Sequence, residues 1–254
     1  MITLASDFGS PYPAAMKGVI LQRTDARLVD VAHDLPRQDV RAAAFWLREV
    51  LPWFPPAVHL VVVDPGVGTD RAAVVVRAGD HALVGPDNGV LLPAARRLAD
   101  AFEVFEVAVD DPASTTFHGR DVFAPAAAAV HEAGVADCHA LDDLSPADEF
   151  VDLAFPDADV DAGSATGEVL VVDDFGNSIT NVPGDVLDDR FGETVTVDGE
   201  SAPVRRTYAA VAPGQRLVTV GSHGNVELAV NQGRGDDAFG VEPGDRVRLT
   251  FADG

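Results

Sequence analysis

A single cysteine, Cys138, stands among the 254 residues, which rules out an intramolecular disulfide and a thiolate metal cluster. Lysine is as scarce. Lys17 is the sole lysine among 18 basic residues, set against 41 Asp and Glu, and the formal charge is −23. This balance argues against nucleic acid as a partner, because phosphate binding needs a basic footprint. No stretch approaches the ~18 to 20 apolar residues that span a bilayer, and the opening MITLASDFGS lacks a basic region followed by an apolar one. The expected location is cytoplasmic, away from membranes. Neither GxGxxG, GxxxxGK[ST] nor HExxH occurs, and the histidines show no ligand spacing. Gly66-Val67-Gly68 echoes a dinucleotide fingerprint but precedes a strand-like run instead of a helix. No metal and no cofactor are expected.

What the chain does have is 47% hydrophobic residues, enough to bury one large core or two smaller ones. Its acids are dispersed as pairs such as Asp142-Asp143, Asp188-Asp189 and Asp236-Asp237, the pattern of a solvated surface. Carboxylate repulsion on that scale is tolerable where molar salt shortens the Debye length to about 3 Å. The surface resembles proteins of salt-accumulating archaea, and a halophilic archaeon is the expected source.

Short apolar runs alternate with helical patterns through the first half. Residues 2–5, 28–31, 58–63, 73–76, 82–84 and 105–107 read as strands, and 16–23, 40–51, 90–99 and 121–133 as helices. This alternation predicts an α/β domain with a mostly parallel sheet over residues 1–150. The proline- and acid-rich texture that begins at Leu141 leads into a linker, 151–163. Short β-branched runs at 168–172, 178–182, 194–197, 217–220, 225–230 and 246–251 then predict a smaller, all-β, barrel-like domain over 164–254.

Polar, glycine-marked clusters interrupt these runs. In Ser6-Asp7-Phe8-Gly9, at the end of the first strand, Asp7 is placed either to accept hydrogen bonds from a ribose diol or to cap the next helix. Asp64-Pro-Gly-Val-Gly-Thr-Asp-Arg71 lies between two strands, and Thr116-Phe-His118-Gly-Arg-Asp121 opens an alanine-rich helix. Asp64, Arg71 and His118 together are a metal-free means of holding and polarising a water. In Asp173-Asp-Phe175-Gly-Asn177, the amide has the donors and acceptor to read an adenine edge and the ring can stack on it, although the same string is ordinary hairpin chemistry. Gly221-Ser222-His223-Gly-Asn225 is open to the same two readings.

Taken together, SDFG, PYPAAMKGVI, DVAHDLP, VVDPGVGTDR, GPDNG, TFHGRDVFAPAAA, DDFGNSITNV and GSHGNVELAVN resemble, in order and spacing over nearly the whole chain, the S-adenosylmethionine hydroxide adenosyltransferase family. The resemblance implies an α/β domain followed by a β-barrel-like one. It implies a homotrimer whose sites join the first domain of one subunit to the second domain of its neighbour, and the hydrolysis of S-adenosyl-L-methionine to adenosine and L-methionine. By position, Asp64, Arg71 and His118 match the water-handling residues and Asp7 the ribose-binding aspartate. Phe117 and Gly119 fall beside the nucleoside, Asp173 and Ser222 at the amino-acid end, and Phe175 and Asn177 on the adenine side. Fluorinase-like and chlorinase-like relatives attack the same carbon with halide; fluorinase-like ones carry serine where Gly119 stands and tyrosine where Asp64 stands. A carboxylate beside an incoming anion favours water. The alternative from another class is a regulatory protein that binds S-adenosylmethionine or a nucleoside without turnover. The loop after Gly9 is shorter than in relatives, which usually carry an aspartate there near the methionine end.

Overall fold

The computed structural model describes residues 1–109 and 116–251. Two compact units divide the chain, Met1–Ala154 and Phe155–Gly254. In the first, the described strands are β1 (Ile2–Ser6), β2 (Leu28–Ala32), β3 (Val58–Val62), β4 (Ala73–Ala78), β5 (His81–Pro86), β6 (Phe102–Val107) and β7 (Leu144–Pro146). The α-helices are α1 (Tyr12–Leu21), α2 (Val40–Val50), α3 (Leu92–Leu98) and α4 (Ala124–Ala133). Proline in the first turn of α1 pre-sets its start. Asp39 caps α2 by accepting the Ala42 N–H at 2.9 Å. Period-2 alternation along β1, β3 and β5 sends Ile2, Leu4, Leu60, Val62 and Val84 into a core with Met16 and Ile20 of α1 and the alanines of α4. The intervening Thr3, His59, Val61 and Leu83 are buried as well, so the sheet is covered on both faces.

The strand order is β2-β1-β3-β5-β4-β6-β7. The sheet is mixed, not mostly parallel as the alternation suggested: β2-β1-β3-β5 run parallel, and β4, β6 and β7 join by antiparallel pairing. Only Gly79 and Asp80 separate β4 from β5. A two-residue connection can close an antiparallel hairpin but not a parallel crossover, which needs a dozen residues or so. In the parallel half Ser6 pairs with Val62, so Asp7 and Asp64 leave the sheet from the same carboxyl edge. Helices long and apolar enough to cross a membrane are absent among the described residues.

In the second unit, β9 (Ser164–Val172), β10 (Ser178–Pro183), β11 (Thr194–Val197), β12 (Glu200–Pro203), β13 (Arg216–Val220), β14 (Asn225–Val230) and β15 (Arg246–Thr250) follow the short β8 (Asp159–Val160). β8 lies within the stretch read as linker and pairs with β9. The sheet is antiparallel in the order β12-β11-β15-β9-β10-β14-β13. Val204, just past β12, bridges Val218 of β13, and the Arg205 N–H donates to the Val218 carbonyl at 3.0 Å. These links bring the two edges together into a nearly closed barrel. Asp198-Gly199, both at positive φ, make the tight β11–β12 turn that such twisted hairpins favour.

His59 accounts for a pH dependence of the first unit. It bonds Thr3 Oγ1 at 2.7 Å and His81 Nδ1 at 2.9 Å, with the two imidazoles stacked. Burial, then the charge of His81, pushes its pKa down to about 3. The unfolded chain takes up that proton near pH 6.5 and the folded one does not, so stability present above pH 6.5 is lost as pH falls toward 3. Urea unfolding should therefore show His59→Gln destabilised at pH 7, with its deficit relative to the parent shrinking by roughly 2 kcal/mol at pH 5. A deficit that stays constant with pH would remove this account.

Candidate active site

Two residues past β3 the chain turns back on itself before reaching β4. The Gly66 N–H donates to Asp64 Oδ1 at 3.1 Å, and the Thr69 hydroxyl donates to the Gly66 carbonyl at 2.7 Å. That fold returns Arg71 to Asp64. Its Nε donates to Oδ1 at 2.8 Å and its Nη2 to Oδ2 at 2.6 Å, a bidentate pair. The Asp64 side chain is 1% exposed and that of Arg71 11%. Nη1 donates to the Ala72 carbonyl, and the guanidinium lies 5.3 Å from the centre of the Phe123 ring.

His118 precedes a wide turn of π-helix, Gly119–Phe123, that runs into α4. Gly119 is there for space: a Cβ would lie 2.9 Å from Met16 Sδ and 3.3 Å from Val62 Cγ1. The missing side chain lets this turn sit against α1 and the end of β3. A cavity of about 430 Å³ opens beside it, lined by Thr69, Arg71, His118 and Phe123 among others. Arg71 and His118 thus line one cavity, and Asp64 is tied to it through its pairing with Arg71.

Asp7 accepts the Gln38 N–H at 2.7 Å through Oδ2. It does not cap a helix, since α1 starts behind Pro11 with no side-chain cap. Phe117 packs edge to face with Tyr12 and Phe8, at centroid distances of 5.3 and 6.2 Å, and Arg120 lies over it. These aromatic rings stand at the carboxyl edge that carries Asp7.

In the second unit Asp173 closes its own turn. Oδ1 accepts the Phe175 and Asn177 N–H groups at 3.0 and 2.8 Å, and Oδ2 accepts the Asn177 amide at 2.9 Å. Asn177 is buried, and the turn presents outward the Phe175 ring, 79% exposed. Ser222 is exposed on the β13–β14 turn. The two turns lie at opposite ends of β10, because Ser178 pairs with Leu228 whereas Pro183 pairs with Asn225.

Sequence reasoning missed several polar groups at these places. Ser6 Oγ meets His33 Nδ1 at 2.7 Å, His33 Nε2 meets Asp30 Oδ1 at 3.0 Å, and Lys17 donates to Asp30 Oδ2 at 2.6 Å. Burial opposes ionisation of Asp30, but the hydrogen bonds from Lys17 and His33 prevail and hold its pKa down. Glu227 and Tyr208 were missed as well; a lone acid inside the apolar run Val226–Val230 was the available signal.

The family profiles described as SAM hydroxide adenosyltransferase N-terminal domain and C-terminal domain match residues 2–139 and 167–248. A Salinispora tropica protein named (R)-S-adenosyl-L-methionine hydrolase is 42% identical, the match covering 98% of this chain and 97% of that one. A Thermus thermophilus protein of the same name is also 42% identical, with 96% and 97% covered. A solved structure described as an uncharacterized conserved protein from Thermotoga maritima superposes with a TM-score of 0.82 at 33% identity, over 98% of this chain and all of that one.

The pairing geometry fixes what its loss should do. Arg71→Leu leaves a buried carboxylate without its counter-charge and should lower stability by about 3–5 kcal/mol. Adding Asp64→Asn should restore part of that loss, a coupling on the order of 2 kcal/mol in a urea double-mutant cycle. Strictly additive losses would show that the two side chains do not stabilise one another.

Proposed function

We propose, starting from the fact that this chain belongs to the SAM hydroxide adenosyltransferase family, that it hydrolyses S-adenosyl-L-methionine to adenosine and L-methionine. The observation that carries the reading is the buried Asp64–Arg71 pair on the edge of the cavity that His118 also lines. A sulfonium is already a good leaving group, so the demand falls on the nucleophile. Water attacks the ribose C5′ in line with the C5′–S bond. The O–C5′ bond forms as C5′–S breaks, its electron pair leaves with the methionine sulfur, and the water gives up a proton. Both Asp64 oxygens are engaged by Arg71 and Gly66. The pair therefore orients and polarises the water, and the imidazole of His118 takes its proton.

Asp7 holds the ribose, Phe117 and Gly119 flank the nucleoside, and Phe175 stacks on adenine. Asn177, with one amide N–H given to Asp173, keeps its second N–H for the base edge. Ser222 serves the amino-acid end, and Asp173, whose carboxylate is spent on its own turn, holds Phe175 and Asn177 in place instead of reaching that end directly. The reaction uses no cofactor, and the assembly is a homotrimer.

Asp64→Asn and His118→Ala should each lower turnover by at least about 100-fold while leaving adenosine affinity, measured by calorimetry, within about 3-fold of the parent. Chelator treatment should leave the parent's activity intact. Loss of adenosine affinity in both variants would make these residues part of the nucleoside pocket instead.

The charge of −23 bears on assembly. Repulsion between acidic subunits grows as screening falls, so trimer fraction and adenosine release should decline together as KCl is lowered from molar concentration. Light scattering beside the activity assay measures both, and a fully active monomer would refute the assembly.

A further inference from the structure

Glu227 sits within β14, where Val226, Leu228, Ala229 and Val230 are buried apolar residues. A carboxylate in such a strand is costly unless its oxygens are satisfied. Its side chain is 5% exposed and that of His223 8%, with His223 Nε2 at 3.0 Å from Oε1. Tyr208 donates its hydroxyl to Oε2 at 2.7 Å. The Asn225 N–H donates to His223 Nδ1 at 3.4 Å, which assigns the proton to Nε2 and makes the imidazole a donor to Glu227.

The two side chains also explain Gly221: a Cβ there would overlap Glu227 Oε1 and lie 2.6 Å from His223 Cε1. The turn that follows is closed by Gly221 N–H to Asn225 carbonyl and Gly224 N–H to Gly221 carbonyl, both at 2.9 Å. Its tip is Ser222. The Tyr208 hydroxyl is held protonated, raised first by burial and then by Glu227, with Asp173 adding in the same direction. Tyr208 is thus within electrostatic reach of the turn at one end of β10 and hydrogen-bonded into the network behind the turn at the other.

We propose that Tyr208, Glu227 and His223 are positioning residues that fix the Gly221–Asn225 turn for the amino-acid end of the substrate, setting affinity for the methionyl part and not for the nucleoside. This rests on the reading of the chain as an S-adenosylmethionine hydrolase with Ser222 at that end. Stability alone does not account for the network, since a buried polar cluster generally gives no more stability than well-packed apolar side chains of the same volume. What it does supply is one fixed geometry for a glycine-rich turn that would otherwise sample several.

The test compares Tyr208→Phe, which removes one hydroxyl from a partly exposed ring, with Glu227→Gln. The KM for S-adenosylmethionine should rise about 10-fold, the loss of roughly one hydrogen bond to a charged group. kcat should fall far less, and the calorimetric Kd for adenosine should stay within about 2-fold. If Glu227→Gln does not fold, Tyr208→Phe decides alone. An unchanged KM in Tyr208→Phe, or adenosine affinity that falls in step with that for S-adenosylmethionine, overturns the proposal. Ser222→Ala with an unchanged KM overturns it too, by removing the turn from the amino-acid end. Failure of the parent to release adenosine from S-adenosylmethionine sinks the reading beneath it, and is told apart from the other outcomes because it appears before any variant is made.

Discussion

The pairing of Arg71 with Asp64 is the constraint on which the first unit's site depends. β3 and β4 are not neighbours in the sheet, since β5 lies between them, so the loop joining them passes over an intervening strand end without ladder bonds to hold it. The guanidinium supplies the missing attachment. It takes Asp64 at the start of the loop and the Ala72 carbonyl at its end, while its face rests on Phe123 of the turn that His118 opens. Taking both charges out of water is costly. Two parallel hydrogen bonds and a third acceptor offset that cost in a way a lysine, with its single point charge, does not.

The wide turn after His118 answers a related problem. An α-helix packed squarely on β1, β3 and β5 would begin at α4 and carry its first residues away from the sheet edge. The π turn inserts extra backbone before α4, the kind of local widening that often marks a functional position, and Gly119 lets it press against Met16 and Val62. The same glycine therefore serves packing and the placement of its neighbour. Gly119 is legible as a functional signal for this reason: close approach of its backbone to the Met16 and Val62 side chains is what places the adjacent His118.

Legibility followed the physics of each element. Strands of four or more apolar residues were readable, and so were helices with a buried stripe. β7, β8 and β12 were not, being short and rich in Ser, Asp and Pro, with pairing decided by the neighbour instead of by their own pattern. The mixed sheet went unread because alternation of strand and helix says nothing about direction where a two-residue turn intervenes. Asp64, Arg71 and His118 stood out because polar groups and glycines interrupt apolar runs there. Glu227 did not, because its strand was read for its apolar residues and its turn for its glycines, and the single acid fell between the two.

Asp64 and Glu227 are carboxylates withdrawn from the solvent that hydrates the acidic surface of this chain, and both lie beside glycine-marked turns. The device is the same in each unit, but the partners differ. Asp64 faces a guanidinium that is always charged, so its own charge is cancelled within the pair. Glu227 is held by a hydroxyl and an imidazole, so hydrogen bonds and not a fixed counter-charge set its position. Exposed carboxylates feel one another through solvent and are screened within a Debye length, whereas the two buried groups are governed by partners less than 3.5 Å away. The two buried carboxylates and the exposed acids therefore answer to different surroundings, the first to fixed partners and the second to solvent.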